Sequence, residues 1–298
     1  MDIRRLEAFS KVYELRSFSK AGEQLYLSQP TISAHVSALE TELDVRLFDR
    51  LGRTILPTQA AEVLYRYALD VFNSLAAATA EIQLLQERVA GDLIIGGSTI
   101  PAHYVLPSLL ARFSARYPEV RMDLKVADSS KIIQRLINGE GMVAMVGSQA
   151  EHPDLTFENV LMDELVIVST ATMAAKFSQP LAPADLATLP WVMREEGSGT
   201  RRAFELALDA LGAPRPQATL KVESTQAALQ TVRAGIGVTV TSRLAAGPLL
   251  KTGELVELKV TGLDMQRDFY LAYHSRRHLF PAARYFIDFI RQECRLGA

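Results

Sequence analysis

The sequence predicts a compact helical module over residues 1–58, one long helix over 59–90, and an α/β region over 91–298. Three patterns carry that expectation. Short apolar periodicities of helical spacing break around Leu27–Pro30. From Thr58 to Val89 no glycine or proline interrupts the chain. From Leu93 onward, strand-like runs alternate with helix-like ones. A length of 298 residues suits more than one domain. With 48% hydrophobic and 22% charged residues, the chain can build a large core and is not mainly disordered. No window approaches the roughly 18 uninterrupted apolar residues of a membrane span. The opening MDIRRLEAF has no apolar h-region, and the only cysteine, Cys294, cannot form an internal disulfide; both predict a cytoplasmic protein. The net charge is −2, so any nucleic-acid surface must be local.

In the first module, Ile3, Leu6, Phe9, Val12, Tyr13 and Leu15 predict a helix over 3–16. A second helix runs from Ser19, as its cap, to Tyr26. Ser28 caps a third, with Pro30 in its first turn and Ile32, Val36, Leu39 and Leu43 on one stripe. Two short helices joined by a tight turn read as helix-turn-helix. The outer face of the later helix carries Gln29, Thr31, Ser33, Ala34, His35 and Ser37, and Gln24–Leu39 holds no charged residue. Neutral donors and acceptors suit base edges, because they cost little to desolvate and can face either partner type. Residues 1–60 hold eight basic and eight acidic residues. Arg50 and Arg53 flank Gly52 in a β-turn, a wing that would bring two guanidiniums to phosphates or a minor groove. A three-helix protein-interaction module remains the alternative.

On the long helix, Leu64, Ala68, Val71, Leu75, Ala78, Ile82, Leu85 and Val89 follow spacings of 4, 3, 4, 3, 4, 3, 4. That is a coiled-coil seam, with two alanines permitting close approach. A second copy explains it, each copy taking one half-site on a duplex; packing on its own chain is the alternative. Gly91-Asp92 ends the helix.

In the α/β region, strands are expected at Leu93–Gly97, Val120–Val126, Val143–Gly147, Leu165–Ser169, Trp191–Arg194, Leu220–Glu223, Ile236–Thr241 and Phe269–Tyr273, with helices over 103–117, 130–138, 200–211, 225–234 and 281–295. The rhythm implies parallel sheets covered on both faces, which bind ligands at the carboxyl ends of strands. Four hydroxyl-bearing steps fall there: Ser98-Thr99, Ser129-Ser130, Ser198-Gly199-Thr200 and Ser224-Thr225. With backbone N–H groups of helix N-termini they would line an anion site. Arg201 and Arg202 follow the third step, and Glu195-Glu196 beside it oppose an anion. For each step alone, a helix cap is the plainer reading.

Other motifs carry less. His274 and His278 lack the glutamate of a zinc helix and sandwich Arg276-Arg277. Ile95-Gly96-Gly97 and Ala234-Gly235-Ile236-Gly237 are incomplete dinucleotide fingerprints, and Ser198 has no visible triad partners. Trp191 and the Phe286, Ile287, Phe289, Ile290 group are expected in the core.

Phe9, Phe18, Ala21, Leu25, Ser28-Gln29-Pro30, Ser33, Leu39-Glu40, Leu43, Leu47-Phe48, Arg50, Arg53 and Thr58 closely resemble the N-terminal domain of LysR-type transcriptional regulators. The resemblance implies a winged helix-turn-helix with residues 30–42 in the major groove, contacts from Gln29, Pro30, Thr31 and Ser33, and wing contacts from Arg50 and Arg53. Ala34, His35 and Ala61 depart from the residues common in the family (arginine, glutamine and glycine), and the first two alter the expected base preference. It continues more weakly through Gly91-Asp92-Leu93, Leu106-Pro107, Phe113, Tyr117-Pro118, Asn138-Gly139-Glu140, Val146-Gly147 and Ala234–Gly237. There it implies a periplasmic-binding-protein-like effector domain of two subdomains, about 91–163 with 268–298 and about 164–267, joined by a double crossover around an effector cleft. The stretch Glu196–Arg201 resembles the subgroup linked to sulfur, sulfite or related oxyanion metabolism. The expected function is sequence-specific binding of double-stranded DNA by a homo-oligomer, a dimer or a tetramer as is common in the family. A small anion in the cleft, an inorganic oxyanion or a small carboxylate, would modulate it, with RNA polymerase as a further partner. No cofactor, metal, membrane or enzymatic activity is expected. A solute-binding protein with a fused interaction domain and an α/β enzyme with an assembly module are the rivals.

Overall fold

A computed structural model describes residues 1–51, 54–84, 89–277 and 279–295. Contacts divide the chain into two units, Met1–Thr79 and Ala80–Ala298.

The first unit opens with three helices: α1 (Ile3–Leu15), α2 (Phe18–Leu25) and α3 (Gln29–Leu43). Each ends on a non-glycine residue in the left-handed region, Arg16, Tyr26 and Asp44. The expected cap Ser19 is wrong for α2. Ser17 caps it, its hydroxyl accepting from the Lys20 amide at 3.3 Å, so that Phe18 starts the helix buried in the core. Strands β1 (Phe48–Leu51) and β2 (Thr54–Pro57) form an antiparallel hairpin. Phe9, Phe18 and Phe48 pack ring to ring among Val12, Ile32, Val36 and Leu39.

Helix α4 (Gln59–Leu84) carries the expected seam, which divides. Ala68 is only 1% exposed and joins the core of the first unit, with Leu64 packed against that core. These two residues pack on their own chain, Leu64 only in part. Val71, Leu75, Ala78 and Ile82 stay exposed. Leu85 lies outside the described residues.

The second unit runs β3 (Gly91–Ser98), α5 (Leu106–Arg116), β4 (Val120–Ala127), α6 (Ser129–Asn138), β5 (Val143–Val146), β6 (Leu155–Ser169), α7 (Ala171–Ala174), β7 (Trp191–Arg194), α8 (Gly199–Ala210), β8 (Ala218–Val222), α9 (Thr225–Arg233), β9 (Val238–Ser242), α10 (Arg243–Lys251), β10 (Val256–Leu258), β11 (Gln266–His274) and α11 (Pro281–Arg295). The sheet order is β4-β3-β5-β11-β6-β9-β7-β8, with β10 on β6. An all-parallel sheet is not what forms. β3–β4, β3–β5, β7–β8 and β7–β9 are parallel, but β11 is antiparallel to β5 and β6, and β6 is antiparallel to β9 and β10. The physical reason lies in β6 and β11. These long strands carry the chain out to one half of the sheet and back, so they must run against each other. Each half has its own core, with Trp191 on Phe204 in one and Phe113 against Phe286 and Phe289 in the other. Among the described residues no helix is long and apolar enough to cross a membrane.

Candidate functional site

In the first unit, Ser28 holds the start of α3. Its hydroxyl accepts from the Thr31 amide at 3.3 Å and lies 2.8 Å from the Thr31 hydroxyl. That bond fixes the first turn, where Gln29 and Pro30 are exposed. Farther along, Ala34 and Ser37 are exposed, and Thr31, Ser33 and His35 are half-buried. Pro30, Ala34 and Ser37 therefore point away from the stripe of Ile32, Val36 and Leu39, which is fully buried, while Gln29, Thr31, Ser33 and His35 flank it. Gly22 makes the tight turn possible: a Cβ there would sit 2.6 Å from the Leu27 carbonyl oxygen. The wing is tied back to α3 by Glu40, whose Oε1 accepts from the amides of Leu47 at 2.8 Å and Phe48 at 3.3 Å. Arg50 takes its place in β1 opposite Ile55. Its side chain, and all of Arg53, lie outside the described residues.

In the second unit, one narrow cleft collects loops from both halves of the sheet. Ser98 ends β3 and Thr99 and Ile100 follow it, Asp128 and Ser129 start α6, Arg194 ends β7, Ser198, Gly199 and Thr200 start α8, and Arg267 reaches in from β11. The space left is about 10 Å³ for the centre of a water molecule, roughly one water. The expected hydroxyls divide by role. Ser198 and Ser224 are helix caps, accepting from the amides of Arg201 and Ala227. Ser98 accepts from the Gly147 amide at 3.1 Å. Thr99 and Thr225 both accept from Arg194, at 3.2 and 2.5 Å, and Thr200 accepts from Arg267 at 3.0 Å. Ser129 lines the cleft; Ser224 and Thr225 do not border it, Thr225 touching it through Arg194. Arg201 does not line the cleft. Its guanidinium turns to Glu205 at 2.7 Å and to the Arg194 carbonyl.

Two arginines that sequence reasoning missed govern the site. Arg194, 4% exposed, is held by Glu195 through Nε and Nη2 at 2.8 and 2.7 Å. Arg267, 9% exposed, is held by Asp163 through Nε at 2.9 Å. Its Nη2 lies 2.8 Å from the same carboxylate but off the line of a hydrogen bond. Burial holds the Arg267 guanidinium below the usual arginine range; Asp163 offsets this and the nearby charge of Arg194 adds to it. A signal was present in the pattern. Arg267 shares the buried alternate positions of β11 with Phe269 and Leu271, and an arginine on such a face needs a partner. Glycines let the walls close: a Cβ on Gly199 would lie 2.7 Å from the Gly147 carbonyl oxygen, and one on Gly197 2.5 Å from Asp128. His274 is buried and His278 is outside the described residues.

This architecture has known counterparts. Residues 3–62 match the bacterial regulatory helix-turn-helix protein family, lysR family, and residues 86–295 match the LysR substrate binding domain. The chain is similar to the RuBisCO operon transcriptional regulator of Allochromatium vinosum, at 31% identity over 100% of this chain and 99% of the relative. It is similar to the HTH-type transcriptional regulator YeiE of Escherichia coli K12 at 30% identity over 96% of each. Among solved structures, full-length CbnR complexed with its target DNA superposes with a TM-score of 0.70 over 98% of this chain and 99% of that one, at 21% identity. The Synechocystis PCC6803 CcmR regulatory domain, in complex with 2-PG, gives 0.62 over 69% of this chain and 98% of that one, at 25% identity. With both halves of the chain matched and the fold shared from end to end, the protein belongs to the LysR family of DNA-binding transcriptional regulators and carries that family's effector-binding domain.

Proposed function

We propose that this regulator binds DNA as a homodimer, or a tetramer built from dimers, and that a small anion held in the cleft shifts how the DNA is engaged. The observation that carries the reading is the composition of the cleft: its walls come from both halves of the sheet and converge on two buried guanidiniums. An occupant there would favour one arrangement of the halves over another, and only such differential affinity can shift an equilibrium. In this reading Gln29, Pro30, Thr31, Ser33, Ala34, His35 and Ser37 face base edges and phosphates, with Ser28 fixing the helix start. The wing arginines Arg50 and Arg53 add phosphate contacts. Val71, Leu75, Ala78 and Ile82 meet the same residues of a second copy. Support for a small acidic effector comes also from the CcmR regulatory domain, solved with 2-PG. RNA polymerase is a further partner in this reading, and the protein works in the cytoplasm.

The test is binding of the full-length protein to the genomic region upstream of its own gene, across a salt series, with random duplex as competitor. Tight, salt-sensitive binding that survives the competitor and changes when small anions are added is the expected result. Binding that no anion alters would remove the effector part of the proposal.

A further inference from the structure

We infer that the cleft selects an inorganic-sized oxyanion, a central atom with three or four oxygens, over a carboxylate with a carbon skeleton, and that Arg194 is the residue that selects it. This rests on the cleft being the effector site.

The lining carries the argument. Sites for organic metabolites are mostly apolar, with a few polar groups fixing orientation. Here the proportions are reversed. Ile100 is the only aliphatic side chain among the lining residues, and the rest are hydroxyls, a glycine, an aspartate and two arginines. A carbon skeleton would find almost no apolar wall, whereas an ion with oxygens on every side would find a polar group in most directions. Size points the same way: the cleft has room for about one water, so a compact ion asks less parting of its walls than a molecule with a carbon skeleton.

The cations supply the second argument. Arg194 and Arg267 are both buried, and Arg267 feels the like charge of Arg194. Glu195 and Asp163 pair them, and Lys131 balances the Asp128 carboxylate at 3.1 Å. The formal charge of the walls is thus close to zero. The starts of α6 and α8 add their partial positive ends, and Arg267 Nη2 has no well-aligned acceptor. Arg194 also spans the cleft. From the end of β7 it donates to Thr99, which follows β3 in the other half of the sheet. The Thr99 hydroxyl holds the donor that an anion oxygen would take. Binding would exchange a neutral acceptor for an ionised one, the partner with which a guanidinium makes its strongest hydrogen bonds.

The experiment is isothermal titration calorimetry of the full-length protein in chloride buffer at constant ionic strength. One set of probes is sulfate, sulfite and phosphate; the other is acetate, glycolate and succinate. The expected result is that at least one oxyanion binds tenfold or more tightly than every carboxylate. Arg194→Gln is expected to weaken that oxyanion by about tenfold or more, the loss of a charge-assisted bond. Arg194→Lys, which keeps the charge without the fork, should fall between. Each variant's melting midpoint without anion reports whether it folds; if neither folds, the wild-type selectivity panel decides alone. Carboxylates binding better than all three oxyanions would overturn the inference and leave the cleft as the effector site. Oxyanion binding undiminished in a folded Arg194→Gln would overturn the assignment of Arg194. If no probe binds and none alters the operator complex, both the inference and the small-anion reading fall.

Discussion

Asp163 and Arg267 are register partners on β6 and β11, the two strands that join the halves of the sheet, with Arg267 Nε 2.9 Å from Asp163 Oδ2. The Ser242 hydroxyl donates to the other carboxylate oxygen at 2.6 Å, and Arg267 goes on to Thr200 at the start of α8. One buried ion pair therefore ties both crossover strands to the cleft wall. Removing one partner leaves an uncompensated buried charge, at a cost of about 3–5 kcal/mol. Asp163→Ala should destabilise by that amount in urea unfolding, while Asp163→Leu combined with Arg267→Met should cost less than the sum of the singles. A strictly additive pair would show that the two charges are not coupled.

Gly199 sets how closely the cleft shuts. A methyl group there would lie 2.7 Å from a backbone oxygen, Gly147 O, and 2.9 Å from Ser129 Oγ, so the walls must part. Gly199→Ala should lower stability by about 1–3 kcal/mol, the usual cost of overpacking. It should also raise the concentration of anion needed to change DNA binding. A variant with unchanged stability and unchanged response would show that the walls do not close on this contact.

How far the sequence reveals these features depends on how local their causes are. The start of α3 was legible because Ser28 and Pro30 carry their capping roles within three residues. The cap of α2 was misplaced by two, because Ser17 and Ser19 are chemically equal and only the buried Phe18 decides between them. The residues before Leu165 in β6 were missed because their burial is mostly partial and their charges, Glu158, Asp163 and Glu164, find their partners in arginines far along the chain. The direction of β6 and β11 follows from a crossover that no local pattern encodes. Arg267 carries the signal of an arginine on a buried strand face, but its place in the site was not legible because its partner is 104 positions away. The hydroxyl-rich loops were found at the carboxyl ends of strands, but the sequence could not distinguish a cap such as Ser224 from a lining residue such as Thr200.

Gln29 is exposed in the first turn of α3, beside a cap that leaves its amide uncommitted in every described contact. If it reads a base edge, Gln29→Ala should reduce discrimination between operator and random duplex by about 1–3 kcal/mol, with little change on random duplex. Competition binding at fixed salt measures this directly. Equal losses on both duplexes would assign Gln29 to positioning rather than reading.

Leu75 tests self-association. It is 45% exposed on α4, between Val71 and Ala78 on the part of the seam that its own chain leaves uncovered. An apolar row of this length in water calls for a partner, and burying a leucine contributes about 1.5–3 kcal/mol. In a two-fold dimer both copies lose it, so Leu75→Lys should weaken dimerisation at least a hundredfold. Sedimentation equilibrium reads the loss, and affinity for a two-half-site operator should fall in step. Ala68→Lys is a poor substitute, because Ala68 sits in the core of the first unit and its replacement would unfold that core instead. A Leu75→Lys protein that still sediments as the wild type would place the dimer contact on another surface, leaving the exposed row of α4 without a role in assembly.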